Sequence, residues 1–593
     1  MDRQAWIAIT LCVIGFVALQ VYNAKNAPPP PVRSALSPTP TASPGNQPAA
    51  ATSPAPAVSP APGAIATPSP TASVSAFTEK SETLRNDDVE LRLTNRGGGI
   101  SEAVLLKHTA EGGHPVILNS PDHTPIGAII EQPTVPALPE FTIVRGDDGS
   151  VQFERNSPEG VSVRKKFFFP PSTENKDNFV AEMDVDFRND GTQPYSNAGY
   201  FVSLGSTQPL HPKDLPTNTR LVWCIEGKPN ATDVGWFAGG GGFLGMGQHL
   251  PRPLYQEKVN GAEWAAMTNQ FFTTILTPLN GKVAETWAQP FPIKRADSMP
   301  LQGMDGAMGM PGFVLQPGQS NTVRFQIYAG PKLYAQLAKL SHDEAEIMNF
   351  GFFKLISQAL LNFLNFLHSW VKSYGLAIIL LTACVKGVLW PLQNKANKSM
   401  RKMSALAPKM QELKEKYKDD PTRMNQEVMK MYKEHGVNPV GGCLPMMIQI
   451  PIFFGLFNML GQVAELRNSS FLWVHDLSQP DTLFTIPGLG WVPFLGDPAA
   501  GLRVNILPIL MGATNVWLMR MTPKTGDSTQ QRIMMFMPLM FLIFCYNFAA
   551  ALALYYTTQN LFTILQLWQN KRQPVPVLEK VAPAGKKSRK GRP

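Results

Sequence analysis

Charge is what this chain has least of. Charged residues occupy 16% of its 593 positions, against about 25% in soluble proteins. That shortage argues against a wholly soluble protein and leaves room for several membrane spans. Cysteine is also scarce. Cys12, Cys384, Cys443 and Cys545 lie in or at apolar segments and Cys224 stands alone, so neither a disulfide framework nor metal-ligand spacing follows. The signatures of catalysis are missing as well: there is no Walker A sequence, no H-E-x-x-H, no G-x-S-x-G and no pair of aspartates inside an apolar segment. An intramembrane protease or acyltransferase therefore finds no support. A secondary transporter would show inverted repeats of similar spans, and none is visible. The run "GGGFLG" at 240–245 satisfies G-x-G-x-x-G but has no strand–helix setting and no ribose-binding acid, and it reads as a glycine loop. No cofactor, no metal and no enzymatic activity are expected.

What is present divides the chain into stretches of distinct character. Residues 1–26 hold an early cation and an apolar core without an Ala-x-Ala cleavage site, and read as an uncleaved signal-anchor span. Residues 27–76 contain fourteen prolines and Arg33 as the one charge, which makes an extended tether that buries no core. From 77 to 340 short alternating runs such as "VSVRKKFFFPP" and "NFVAEMDVDFRNDG" are broken by Gly, Pro, Asn and Asp, predicting a β-sandwich domain. The tether would let that domain move independently of the spans. Residues 341–371 carry apolar residues at helical spacing, Phe352, Leu355, Ile356, Ala359, Leu360, Phe363, Phe366 and Leu367, and predict an amphipathic helix in the membrane interface.

Five apolar segments follow, at 374–392, 444–463, 505–521, 533–548 and 550–568, and make six spans with the first. Eleven Lys/Arg fall between 394 and 440, eight more lie in the basic tail from 571 to 593, and Arg467 and Arg503 alone stand between 466 and 504. The positive-inside rule then places both termini and the 394–440 loop in the cytoplasm and the β-domain on the opposite side. That loop places Met400, Met403, Ala407, Met410, Leu413 and Tyr417 on one stripe. Met424, Val428, Met431 and His435 form another beyond "DDP", so a helical hairpin with a methionine-rich seam is predicted. The tail's charge suits anionic lipid or RNA phosphate, and serves equally as an orientation signal.

The stretch "LLTACVKGVLWPLQNK" at 380–395 carries Lys386 inside an apolar run. A cation at that depth is costly and marks a functional site unless it snorkels to the boundary, about 9 Å away at 1.5 Å per residue. Thr382 lies one turn before it, Gln449 and Phe453 share a face of the third span, and Tyr556, Gln559 and Thr563 share a face of the sixth. Asn515 and Asn547 are on the fourth and fifth. Together they suggest a wet cavity, although Asn515 and Thr563 also read as ordinary helix-packing hydrogen bonds.

The runs "VNPVGGCLPMMIQIPIFFGLFNML", "VAELRNSSFLWVHDLS", "QQRIMMFMPLMF" and "LALYYTTQNLFTILQ" resemble the YidC/Oxa/Alb membrane protein insertases. The anchor, the tether and "EWAAMTNQFFTTILTP" are similar to the Gram-negative branch with its large periplasmic domain. The resemblance implies a five-span core over 372–570 whose hydrophilic groove carries an arginine, here replaced by Lys386. It also implies that Thr382, Phe453, Phe544 and Tyr556 occupy substrate-contacting positions. The implied function is insertion of nascent membrane proteins into the bacterial inner membrane, alone or with the Sec translocon, without nucleotide hydrolysis. The hairpin and tail would meet the ribosome and its RNA, and the spans would meet membrane lipids. Lysine keeps the arginine's charge but loses its planar five-donor fork. The sequence "NFAAALALYY" lacks the family's usual proline-containing turn before the last span.

Overall fold

In the β-domain, alternation of apolar and polar residues is converted into sheet faces. The computed structural model describes residues 77–572 apart from 111–112, 132–136, 172–177, 212–213, 215, 240–249, 294–300, 438–439, 493–494, 498–500 and 523–539. The signal anchor, the tether, the glycine run at 240–245, the basic tail past 572 and residues 533–539 of the 533–548 segment lie outside the described residues.

The strand Val180–Asn189 buries every second residue from Ala181 onward, facing Met183, Val185 and Phe187 inward. It sits at the heart of a nine-stranded sheet, paired antiparallel with Ser320–Pro331 on one side and Val161–Phe168 on the other. A five-stranded sheet built on Tyr195–Thr207 and Leu301–Leu315 stacks on it. The two layers come close at Gly306, where a Cβ would stand 2.3 Å from the Met267 sulfur of the facing sheet. Trp223 and Phe325 lie on that same face of the nine-stranded sheet, whereas Trp264 lies on the opposite face, its indole donating to the His342 carbonyl at 2.8 Å. A third sheet, of four strands between Ser81 and Leu118, completes this β-rich domain.

The domain is docked on the helical region rather than left loose on its tether. The turn joining Trp264–Thr268 to Phe272–Pro278 is held by Asn269, whose Oδ1 accepts from the Phe271 and Phe272 amides at 3.1 and 2.9 Å. This presents Gln270, whose Nε2 donates to the Gly461 carbonyl at 2.8 Å. Asn468 donates to the Thr109 hydroxyl at 2.9 Å, and the Arg467 guanidinium lies 5.3 Å over the Phe272 ring.

Helix α1, Lys354–Val371, follows the β-domain and ends where Lys372 turns left-handed. It buries Ser357, Leu360, Leu361 and Leu364, and the Ser357 hydroxyl donates to the Gly455 carbonyl at 2.9 Å. The predicted apolar stripe is split: Leu360 faces the protein, whereas Phe352, Leu355 and Phe366 point outward with Trp370. Helix α2, Tyr374–Ala405, runs 32 residues without a break, about 48 Å at 1.5 Å per residue. It is the one helix among the described residues both long and apolar enough to cross a bilayer. Its last three turns belong to what the sequence reads as the first arm of the hairpin. Helices α3, Ala407–Lys416, and α4, Pro421–Glu434, then pack on each other around Leu406, Met431, Tyr432 and Val437. Met403, Met410, Leu413 and Val428 flank them. Asp420 caps α4 by accepting from the Arg423 amide at 3.0 Å, and His435 is buried with its Nδ1 2.9 Å from the Met431 carbonyl. Helices α5, Val440–Leu460, α6, Ile506–Met521, and α7, Ala550–Lys571, complete the region. Helix α7 packs against α2 and α6 and buries every residue of its first three turns.

Candidate substrate groove

The start of α2, the end of α5 and the starts of α6 and α7 lie at one end of the helical region, joined by the segment from Val463 to Asp481. Phe471 sits on Gly375, where a Cβ would come within 2.1 Å of its ring. Gln479 and Leu477 accept from the Ala550 and Ala551 amides. Asp481 accepts from the Leu507 amide at 2.6 Å, satisfying an orphan donor at the start of α6. This is the end on which the β-domain is docked.

Depth along each helix then decides which side chains meet. Lys386 lies 12 residues into α2 and Thr563 13 residues into α7, each roughly 18–20 Å from the shared end. The Lys386 Nζ donates to the Thr563 hydroxyl at 2.9 Å. Thr563 in turn donates to the Gln559 carbonyl one turn earlier at 2.8 Å, and the Gln559 side-chain oxygen accepts from Gln449 Nε2 of α5 at 2.9 Å. A polar layer of Lys386, Thr563, Gln559 and Gln449 thus ties three helices together at mid-depth. Lys386 is 5% exposed. Helices α1, α2, α5, α6 and α7 contain no aspartate or glutamate, so no carboxylate of these helices balances it. An ammonium has three donors, and one is used among the described residues.

Between this layer and the β-domain end lies an aromatic one. Tyr556, one turn before Gln559, meets Phe453 of α5 edge-on with ring centroids 5.5 Å apart, and Phe541 at 5.2 Å. Phe457 meets Phe548 at 5.2 Å nearer the end. Toward the opposite end the contacts turn polar again. Gln566 donates to Asn394 Oδ1 at 2.8 Å and Asn570 to the same oxygen at 3.1 Å, while Arg401 donates to the Asn570 carbonyl at 2.8 Å.

The structure therefore brings together Lys386, Gln449, Phe453, Tyr556 and Gln559. Thr382 lies beside them, fully buried, its hydroxyl donating to the Ile378 carbonyl of its own helix at 2.7 Å. Asn515, Phe544 and Asn547 are not brought in. Asn515 is half-buried, and its neighbour Thr514 meets α7 instead, accepting from Asn560 at 3.1 Å. Phe544 is 61% exposed against Phe548, and Asn547 is exposed. Thr563 is the residue sequence reasoning undervalued, and Gln566, Asn394 and Asn570 are those it missed. Their signal is a polar residue about once per turn along α7, from Gln559 to Asn570.

Two family models match the chain: the 60Kd inner membrane protein over residues 366–575 and the YidC periplasmic domain over residues 82–363. The chain belongs to the YidC family. It is similar to the membrane protein insertase YidC of Geobacter metallireducens, 30% identical over 95% of this chain and 97% of that protein. The YidC of Chlorobaculum parvum is 31% identical over 84% and 83%. Among solved structures, an active YidC insertase with its first transmembrane domain resolved is 18% identical, with a TM-score of 0.33, covering 84% of this chain and 94% of that one. The boundary between the two family models falls inside α1, where the β-rich domain gives way to the helical membrane region.

Proposed function

We propose that this protein inserts nascent membrane proteins into the inner membrane through a groove lined by the Lys386 layer, without nucleotide hydrolysis. The observation that carries the reading is Lys386 itself, buried on α2 with one hydroxyl partner among the described residues and no balancing carboxylate on the surrounding helices. A cation held this way keeps donors and charge available for an acidic or polar segment in transit. The mid-depth polar layer shortens the hydrocarbon path that such a segment crosses, where each unsatisfied backbone group costs several kcal/mol. Burial of the substrate's apolar helix in lipid, at roughly 25 cal/mol per Å² of apolar surface, then drives release. The aromatic layer of Phe453, Phe541 and Tyr556 closes the path toward the β-domain end.

Loop charges orient this assembly with the α3–α4 hairpin, the basic tail and both termini in the cytoplasm and the β-domain in the periplasm. In that orientation the hairpin and tail receive chains from the ribosome, the tail by attraction to RNA phosphate. The protein works alone or beside the Sec translocon, with membrane lipids around its six spans.

Purified protein in liposomes should insert a single-span substrate, detected by protease protection, with no ATP present. Dependence on a nucleotide would overturn the reading. Cysteine labelling should find position 403 cytoplasmic and position 76 periplasmic. The reverse at position 403 would overturn the orientation.

A further inference from the structure

Between α5 and α6 the chain builds a small three-stranded sheet in which Thr482–Ile486 and Gly496–Asp497 both pair antiparallel with Gly501–Asn505. Its base is pinned. Thr482 donates to Asn505 Oδ1 at 2.7 Å, Asn505 Nδ2 donates to the Tyr546 carbonyl at 2.8 Å, and the Tyr546 hydroxyl donates to the Arg503 carbonyl at 2.6 Å. Asp481, beside it, accepts from both the Leu507 amide and the Trp473 indole. The flap is therefore held rigidly at the outer start of α6.

Its surface is the wrong one for water. Successive strand residues point to opposite faces, yet Leu483 at 57% and Phe484 at 53% are both exposed, as are Ile486 and, beyond the strand, Trp491 at 76%. Asp497 and Arg503 are the only charges from 482 to 505. An antiparallel sheet with one face in solvent presents polar residues there, and this one carries few, with Asp497, Arg503 and threonines in its strands beside the exposed Leu483, Phe484 and Ile486. An uncovered apolar cluster of this kind marks an interaction surface.

The place of the flap decides the partner. It leaves the same end of the helical region at which α2, α6 and α7 begin and α5 ends. At that end α1 turns Phe366 and Trp370 outward, and Leu472 and Trp473 are exposed beside the flap. Aromatic residues gathered at the ends of spans form a belt at the membrane–water boundary. We propose that the flap is a second interfacial anchor, with Leu483, Phe484, Ile486 and Trp491 seated in the headgroup–acyl boundary of the leaflet on the β-domain side. With no basic cluster on the flap, it seats by apolar insertion and not by attraction to anionic headgroups. The proposal rests on the reading that the helices span a bilayer.

The test places an environment-sensitive fluorescent amino acid at position 491, and separately at 484, of the full chain in phosphatidylcholine vesicles. Lipid brominated high on its acyl chains should quench both positions, by roughly twofold for a ring at that depth, while aqueous iodide quenches them far less than a probe at the exposed β-domain position 144. Replacing a third of the lipid by phosphatidylglycerol should leave the lipid quenching unchanged. Iodide quenching equal to that at position 144 would overturn the proposal. So would quenching by neither agent, the mark of a site covered by protein. A probe at position 388, exposed on α2, separates the two readings: it should be quenched by lipid brominated deep in the chain. If it is not, the spanning reading fails and takes the flap with it, whereas quenching at 388 without quenching at 491 sinks the flap alone.

Discussion

The β-domain and the helical region each bury a lysine, and they treat it in opposite ways. Lys165, on the strand Val161–Phe168, is fully enclosed. Its ammonium donates to the Gly97 carbonyl at 2.7 Å and the Gly127 carbonyl at 3.1 Å, and lies 4.7 Å over the Phe141 ring. Burial pushes its pKa well below the usual lysine range. Lys386 is nearly as buried but has one hydroxyl for company among the described residues. A cation whose donors are occupied by backbone ties structure together. One left with donors to spare, among helices without a carboxylate, is held ready for something that comes and goes. On the proposed function the contrast sets a scaffold lysine against a groove lysine within one chain, and it predicts that removing the two has opposite consequences.

The largest effect is expected at Lys165. Lys165→Ala leaves two buried carbonyls without this donor and opens a cavity, and should destabilise the β-domain by at least about 3 kcal/mol. Thermal unfolding of the full chain followed by proteolysis at β-domain sites measures this, and insertion at matched protein levels should be largely retained. A melting profile unchanged by Lys165→Ala would break the comparison from the scaffold side.

At Lys386 the expected effect is on traffic and not on folding. Lys386→Ala should lower insertion of substrates with acidic translocated segments about tenfold, equivalent to about 1.4 kcal/mol. Neutral segments should insert as before, Lys386→Arg should keep activity, and Lys386→Glu should be worst through like-charge repulsion. Because removing a buried charge relieves a cost, Lys386→Leu should not lower the melting temperature of the helical region. Equal insertion of acidic and neutral segments by the wild type and Lys386→Ala would reject the charge-attraction role.

The two lysines also mark what the sequence makes legible. Lys386 stands out because everything around it is apolar. Lys165 does not, since in "VSVRKKFFF" it is one of three consecutive cations, and only the parity of Val161, Lys165 and Phe167 shows that it points inward. Strands and helices are readable wherever a face is buried: α6 and α7 begin within a residue of the apolar segments at 505–521 and 550–568. Helix α2 was cut short because apolarity stops near Leu392. The backbone has no reason to stop there, as the residues to Ala405 include no glycine or proline and favour helix. The polar layer needed helix depth and rotation together. One residue, about 100° of turn, is what separates Asn515 from Thr514, and a single sequence does not fix that angle. The docking of the β-domain through Gln270, Arg467 and Asn468 left no trace in patterning, since each is a polar residue in a loop.

The smallest expected effect lies where the two regions meet, at Glu465. The residue follows α5 in a short 3-10 turn. Its Oε1 accepts a long hydrogen bond of 3.5 Å from Asn365 of α1, Asn365 accepts from the Tyr374 hydroxyl at 3.4 Å, and its Oε2 is buried without a partner among the described residues. Burial raises its pKa from 4.5 to about 7, and the hydrogen bond from Asn365 opposes the shift only in part. The folded state thus retains a proton that the unfolded chain releases above pH 4.5. Stability tied to this group is full below that pH and is lost as pH rises through about 7. Between pH 6 and pH 8 the loss should be about 1 kcal/mol. Glu465→Gln, neutral at every pH, should abolish that slope and raise the melting temperature at pH 8 while leaving it nearly unchanged at pH 4. Measured across this range, an identical slope in the wild type and Glu465→Gln would show that the carboxyl is charged in the folded protein and that the junction is held by a partner other than Asn365.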